Sequence, residues 1–530
     1  MMVGCSCITG SAEINQVRSQ QNELPHHEQM KSPIAEVLCR PEHLGRPIPD
    51  SPHAVSACLP NWQDNIGYEE GDARVVELLK TGYPRFVYNQ YCVKLFQKCL
   101  QEFGQADEAC LAFPTAATAE ECARFIAQQS GQPCRVVAID QSEVHAILFA
   151  KELAEVAKTA WQHLGTGITS RFAQACLNGA CLNRMTSQAT TTVKLEQTLK
   201  KRIAKITGMQ AEQVWLFPTG MAAIAAAQRA VLQLDPRHNS VQFGFPYVDT
   251  LKLQQKIGPG VYFYPRGDRH DLSELTELLK REAINALYTE FPSNPLLICP
   301  DLEQLIALSR SHRFPVIVDD TVATFFNTDL ISHVDVVCSS LTKYFSGIGN
   351  VTGGALILNP DSPFAKQLCA VLNESEINRG NCWHEDLQVL EQNSRDFAER
   401  MPIINRNTEQ LVDHLQTHPQ IETVYYPKYQ QPDLYQKYLK PGGGYSGLFS
   451  LLLKEASNTA PRFFDALEIC KGPNLGTNYT LGCPYTILAH YRELDFAESC
   501  GVSRNLIRVS VGLEDVNELI KFFDRALAKS

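Results

Sequence analysis

Between residues 241 and 338, short apolar or β-branched runs alternate with segments of helical spacing. The runs are Val241–Phe243, Ile284–Thr289, Pro315–Val318 and Val334–Cys338. Each ends in polar, Gly or Pro residues, the pattern of a buried strand. Leu272–Ala283 and Leu302–Ser311, which lie between them, repeat apolar positions with helical period. Strands alternating with helices predict an α/β fold with a mostly parallel, doubly wound sheet. Ligands of such sheets bind beyond the carboxyl ends of the strands.

The pattern changes after about residue 361. Glu385–Leu415 reads as a long helical segment broken at Pro402. Strands are predicted at Thr423–Tyr426, Leu448–Leu453 and Leu506–Val511, and helices at Pro461–Leu467 and Val516–Ala528. This describes a smaller α+β domain with an antiparallel sheet. Before residue 195, Val136–Ile139 and Ala146–Phe149 read as strands. Cys110–Ala123, "CLAFPTAATAEECA", echoes Val214–Ala227, "VWLFPTGMAAIAAA". Both predict a strand, a Phe-Pro-Thr turn and an Ala-rich helix. Only the second has glycine in the turn, where backbone N–H groups can approach an anion. The first, with Ala116 and Ala117, reads as structural. The expected divisions are a disordered N-terminal segment at 1–48, an N-terminal arm and inserted α/β module at 49–195, a large domain at 196–360 and a small C-terminal domain at 361–530.

Composition narrows the function classes. The chain has 530 residues, a formal net charge of −10 and no basic run, so no nucleic-acid partner is expected. It has no apolar stretch long enough to span a membrane. Its 18 cysteines are scattered through apolar segments, as at Cys110, Cys299 and Cys338. That usage predicts buried thiols in a reducing, cytoplasmic setting rather than a disulfide framework. Cys5 and Cys7 form a lone C-x-C, and His163 and His490 lack ligand spacing, so no metal site is predicted. Gly442–Gly447 matches G-x-G-x-x-G but precedes an apolar run rather than opening a helix, which excludes a dinucleotide loop.

The candidate chemistry lies at the strand ends. "FPTGM" places Gly220 and Met221, "FPYVDT" places Tyr247, and "TEFPSNP" places Glu290 and Asn294. "VIVDDT" places Asp319 and Asp320, and "SSLTK" places Ser340, Thr342 and Lys343. Singly, each has an ordinary reading: Asp319 a helix cap, Tyr247 core, Gly220 a turn, Lys343 a solvated turn residue. Together they supply what pyridoxal 5'-phosphate requires. That cofactor needs a lysine for its aldehyde, a carboxylate for its ring nitrogen, an aromatic face to stack on and a cup for its phosphate. The glycines after Lys343, at 347, 349, 353 and 354, predict a flexible turn that lets the lysine move.

"SSLTKYFSGIGNVTGG", "VIVDDTVATFF", "YTEFPSNPLL", "FPTGMAAI" and "IRVSVGLED" resemble the Cys/Met metabolism group of pyridoxal-phosphate enzymes, of fold type I. "PHAVSACLPNWQDNIGYEEGD", "WQHLGTGITSR" and "GPNLGTNYTLGCPYTILAHY" are similar to its fungal cystathionine γ-synthase subgroup. The resemblance implies that Lys343 holds the cofactor and carries protons, that Asp319 meets the ring nitrogen, and that Tyr247 stacks on the ring. It implies a phosphate cup of Ser340, Thr342, Gly220 and Met221, and counts Asn294 among the cofactor-binding residues. Tyr83 and Arg85 look like a Tyr-x-Arg pair that reaches the phosphate of a neighbouring subunit, which implies a homo-oligomer, dimer or tetramer. Arg171 is a second candidate for that arginine; Arg85 is favoured because Tyr83 accompanies it. Arg508 looks like the clamp for the substrate carboxylate, with Asn474 beside it.

The sequence departs from the family pattern at several points. Asn474 stands where the family has serine, Tyr479 where it has glutamate, and Ile348 where it has histidine. The implied activity is γ-replacement on an O-activated homoserine, an O-acetyl or O-succinyl ester, with cysteine to give cystathionine, a step of trans-sulfuration and methionine biosynthesis. The alternatives are transfer to another nucleophile, such as carbon, in a specialised pathway, a γ-lyase, or a non-catalytic paralogue.

Overall fold

A seven-stranded sheet carries the strands that the alternation predicts. The computed structural model describes residues 36–139, 143–179, 187–378 and 382–530. Near the N-terminus, strands β1 (Glu108–Phe113), β2 (Arg135–Ala138) and β3 (His145–Ala150) form an antiparallel sheet in the order β1-β3-β2. The seven-stranded sheet follows with β4 (Val214–Phe217), β5 (Ser240–Phe243), β6 (Val261–Tyr264), β7 (Leu287–Glu290), β8 (Val316–Asp319), β9 (Val336–Ser339) and β10 (Gly354–Leu358). Its order is β4-β10-β9-β8-β7-β5-β6. All neighbours pair in parallel except β10, which runs antiparallel between β4 and β9. The third sheet comprises β11 (Ile421–Tyr425), β12 (Leu448–Leu453), β13 (Cys470–Lys471), β14 (Leu481–Pro484) and β15 (Ile507–Ser510), in the order β11-β12-β15-β14-β13. Only its β13–β14 pair is parallel.

The carboxyl ends of β4, β5, β7, β8 and β9 all point to one edge of the large sheet. The helix Gly220–Leu234 packs over β4, β9 and β10, and ten of its residues are buried. Its alanines let the helix lie close to the sheet. Thr219 starts it, its hydroxyl accepting from Ala222 N–H at 3.0 Å. In the echo segment Thr115 caps the helix Ala116–Ser130 in the same way, with φ −146° and ψ 162° against −147° and 161° at Thr219. The similarity of the two segments is therefore one of backbone as well as sequence. The helix Val516–Leu527 seals the C-terminal sheet with Leu519, Phe523 and Leu527, each such burial contributing about 1.5–3 kcal/mol.

Several expectations are corrected. Strand β6 was not predicted: it is an edge strand of half-buried aromatics beside Pro265. Strand β10 begins at Gly354, the last glycine of the run read as a turn. The helical break falls at 394–396, between the helices His384–Asn393 and Phe397–Gln416, and Pro402 sits inside the second. Pro402 stands near the N-terminus of that helix, where it removes one bond, and buried Phe397, Met401 and Ile404 hold the turn against the core. Residues 36–48, counted with the disordered segment, are packed. Leu38 and Ile48 are buried with Cys58, Cys470, Tyr479 and Leu481, because two apolar side chains in a polar stretch find a groove beside the small sheet. The remainder of that segment, and the Cys5–Cys7 pair, lie outside the described residues. Cys110, Cys299 and Cys338 are free, buried thiols, whereas Cys176 is disulfide-bonded. No helix among the described residues is long and apolar enough to cross a membrane.

Candidate active site

One cavity collects the strand ends. Tyr83, Arg85, Gly220, Met221, Tyr247, Glu290, Asn294, Asp319, Ser340, Lys343, Tyr485 and Arg508 line it. Lys343 follows β9 and is buried. Its Nζ donates to Asn474 Oδ1 at 2.6 Å and lies 4.4 Å from the centre of the Tyr83 ring. Burial lowers its pKa; Tyr83 opposes the shift, and the charges of Arg508 and Arg85 add to it. Tyr83 is pulled below its ordinary range as well: burial works against this, but the Lys343 and Arg85 charges outweigh it.

The loop carrying Lys343 is packed rather than loose, which corrects the flexible-turn expectation. The buried Arg400 guanidinium donates to the carbonyls of Tyr344 at 2.9 Å and Phe345 at 3.0 Å. Gly347 has φ +73°, and a Cβ there would lie 2.2 Å from Asn478 Oδ1. Glycine serves close approach here. The freedom left to the lysine is that of its own side chain.

Asp319 ends β8 and faces the cavity. Its Oδ1 accepts from Thr321 N–H at 2.9 Å, and the Thr321 hydroxyl accepts from Ser340 N–H at 2.8 Å. Burial raises the Asp319 pKa, partly offset by Thr321 and Lys343. Glu290 stands beside it in register on β7. Burial, and then the Asp319 charge, push Glu290 up. Glu290 accepts from the backbone N–H groups of Tyr247 at 2.6 Å and Asn294 at 2.9 Å. It therefore sets the loop of the aromatic ring and that of Asn294 at once. Asp320 turns away and lines a separate small cavity with Thr207 and Lys440.

Arg508, on β15, enters from the small sheet. It is 5% exposed, and its Nη2 donates to the carbonyls of Pro473 at 2.9 Å and Asn474 at 3.3 Å. Its Nη1 donates to Asn294 Oδ1 at 3.2 Å, and the guanidinium lies 4.8 Å from the centre of the Tyr485 ring. Among the described residues no carboxylate is paired with it. A fixed, buried guanidinium without a counter-ion is poised for a carboxylate ligand. Asn474 Nδ2 is buried without a partner and adds a second donor near the lysine.

The remaining predicted residues are distributed as follows. Thr342 lies beneath the cavity wall: its hydroxyl accepts from Gly353 N–H at 3.0 Å and donates to Gly353 O at 3.3 Å. Arg171 is held outside the cavity by Asp386 at 3.0 Å and Asn350 O at 2.8 Å. Tyr479 is buried and donates to Ile348 O at 3.4 Å. Tyr83 and Arg85 line the cavity. Asp249, Thr321 and Tyr485 were missed, because nothing in their local sequence separates them from a helix-start acid, a turn hydroxyl and a core aromatic.

The Cys/Met metabolism PLP-dependent enzyme family matches residues 187–528, and the fungal trans-sulfuration enzyme N-terminal domain matches residues 91–169. The chain belongs to the Cys/Met metabolism PLP-dependent enzyme family. A cystathionine gamma-synthase of Neurospora crassa is 35% identical, over 92% of this chain and 98% of that one. That of Saccharomyces cerevisiae is 32% identical, over 92% and 99%, and a cystathionine gamma-synthase-like enzyme of Amanita muscaria is 35% identical, over 91% and 97%. The solved cystathionine gamma synthase of Xanthomonas oryzae shares the fold, with a TM-score of 0.56 at 22% identity, covering 64% of this chain and 87% of that one. Like the rest of its family the chain uses pyridoxal phosphate. The cavity fits that group. Asp319 is a carboxylate lining the cavity with no ion-pair partner among the described residues, and Gly220 opens a 15-residue helix so close to Ser340 that a Cβ there would lie 2.8 Å from the Ser340 Cβ.

Proposed function

We propose that the chain catalyses γ-replacement on an O-activated homoserine, O-acetyl or O-succinyl, with L-cysteine as nucleophile, forming cystathionine. One juxtaposition supports this most directly. A buried amine of lowered pKa, Lys343, shares its cavity with an uncompensated arginine fork, Arg508. The full-length similarity to cystathionine gamma-synthases supports it as well.

In this reading Gly220 and Met221 N–H groups, Ser340 and Arg85 hold the phosphate, Asp319 holds the ring nitrogen and Tyr247 covers the ring. Thr342 fixes the cup from below through Gly353. Arg508 orients the substrate through its α-carboxylate, with Asn474 at the amine end. Pyridoxal phosphate, when bound, supplies the electron sink for carbanions at the substrate Cα and Cβ. Lys343 Nζ would take the Cα proton, hand it on, and so be free to take a Cβ proton, while the γ-oxygen would leave with its acyl group as the carboxylate. The cysteine sulfur adds at Cγ and Lys343 returns the protons. A single base serving several positions must be long, and neutral near working pH.

The decisive experiment is product analysis of the purified holoenzyme with O-acetyl-, O-succinyl- and O-phosphohomoserine, each with and without cysteine. Cystathionine is expected with cysteine. A keto acid and ammonia as the main products would replace this reading with a lyase. A second reading, transfer to another nucleophile such as carbon, draws on the apolar wall of Leu475, Leu488 and Ala489. Failure to form cystathionine from any ester would move the assignment there.

Gly220 offers a separate check. A Cβ at this position would lie 2.8 Å from Ser340 Cβ, so Gly220→Val forces the helix start away from Ser340. Overpacking of this size costs about 1–3 kcal/mol, so pyridoxal phosphate affinity is expected to fall about tenfold or more. Titration of the apo-protein with pyridoxal phosphate measures it, and unchanged affinity would remove Gly220 from the phosphate cup.

A further inference from the structure

Arg508 and Cys483 lie opposite each other on the antiparallel strands β15 and β14. Side chains two residues apart on a strand share a face. Tyr485, just past the end of β14, therefore comes up on the cavity face beside Arg508. Its backbone N–H donates to Leu506 O at 3.1 Å, and it opens the short helix Tyr485–His490. The Arg508 guanidinium lies 4.8 Å from the centre of the Tyr485 ring, and the His490 ring 5.9 Å from it. The ring is thus fixed by its neighbours without help from its hydroxyl.

That hydroxyl is the unexplained part. Tyr485 lines the cavity and is 2% exposed, yet its OH has no hydrogen-bond partner among the described residues. A buried hydroxyl left unpaired is costly, and phenylalanine would fill the same space without that cost. Burial holds the phenol well above its ordinary range; Arg508 opposes this, and Glu290 adds to it. The group stays protonated, and so stays a donor, at any ordinary working pH. The donors at Arg508 are also few. Its bonds to Pro473 O, Asn474 O and Asn294 Oδ1 use three of the five guanidinium N–H groups. The two that remain cannot fill the roughly four acceptor sites of a carboxylate.

We propose that Tyr485 is a further substrate-binding residue: its O–H donates to the α-carboxylate of the amino-acid substrate, beside the remaining N–H groups of Arg508. The ring, held against the guanidinium, keeps the hydroxyl directed at that carboxylate. An amine without a carboxylate gains nothing from this contact, so Tyr485 favours α-amino acids over simple amines. The proposal rests on the reading of Arg508 as the carboxylate clamp.

The test uses the holoenzyme and two ligands that carry no γ-leaving group. One is L-norvaline; the other is butan-1-amine, the same molecule without its carboxylate. Binding of each is read, without turnover, from the visible spectrum of the bound pyridoxal phosphate. Tyr485→Phe keeps the ring and loses the hydroxyl. It is expected to bind L-norvaline about tenfold more weakly or worse, the worth of a hydrogen bond to a charged group, and to bind butan-1-amine as the wild type does. The melting temperature and the cofactor affinity of the apo-protein are expected to stay at their wild-type values. Wild-type affinity for L-norvaline in Tyr485→Phe would overturn the proposal. An equal loss for both ligands would also overturn it, by showing a structural role, and a tenfold loss of cofactor affinity would give the hydroxyl to the cofactor instead. Unchanged L-norvaline binding in Arg508→Ala would take down the clamp and this proposal together. Failure of the cystathionine reading shows separately, in the products formed from the homoserine esters.

Discussion

Replacing Lys343 with alanine abolishes turnover. A positioned general base is worth about 10²–10⁴ in rate, and in the proposed reading Lys343 also holds the cofactor aldehyde, so kcat is expected to fall about 10⁴-fold or more. The loop itself survives, because its anchors are Arg400 on the Tyr344 and Phe345 carbonyls and not the lysine amine. Loss of activity will therefore not be loss of fold, and the variant will still bind pyridoxal phosphate without a borohydride-reducible bond. The check is product formation from a homoserine ester and cysteine, together with the visible spectrum before and after borohydride. Substantial remaining γ-replacement would sink the assignment of Lys343.

The second large effect is at Arg508. Its guanidinium is held by two carbonyls and an amide and meets no carboxylate of the protein among the described residues. In the proposed reading a substrate carboxylate completes it. Truncating one partner of a buried, hydrogen-bonded charge pair costs about 2–5 kcal/mol, so Arg508→Ala is expected to lower kcat/KM for the ester about 10²-fold or more. Arg508→Lys keeps the charge but loses the fork and recovers only part of the loss. In the proposed reading the arginine holds the donor substrate, so KM for the ester is expected to carry more of the change than KM for cysteine. An unchanged ester KM in Arg508→Ala would place the carboxylate elsewhere.

Much of this was legible from local pattern. β5, β7, β8 and β9 are short apolar runs closed by polar residues, so both their position and the chemistry at their ends could be read. β10 could not, because it begins at Gly354 among glycines that look like a turn, and only its pairing with β4 and β9 reveals a strand. β14 contains Gly482 and Pro484 and looks unlike a strand for the same reason. Lys343, Asp319 and Gly220 were singled out as candidates because a cofactor needs those residue types at strand ends. Asp249 was not, since an acid in the first turn of a helix is ordinary until Arg85, Gln162 and His163 converge on it. For Arg85 the motif was readable, but its contacts with Asp249 and Gln162 were not, since those depend on where the loop goes in space.

The antiparallel strand in the large sheet also governs the order of events during synthesis. β10 fills the gap between β4 and β9, pairing Leu216 with Ala355 and Cys338 with Leu356. Until β10 has left the ribosome, the helix bearing Gly220 and the strand leading to Lys343 have no shared partner. Arg508 and Asn474 arrive later still, so the cavity closes only when almost the whole chain is available. Contacts this distant in sequence slow folding, since loop closure must come before any pairing energy is gained. The cofactor can therefore favour only a nearly finished molecule, and it acts on the last stage of folding rather than as a nucleus for the first.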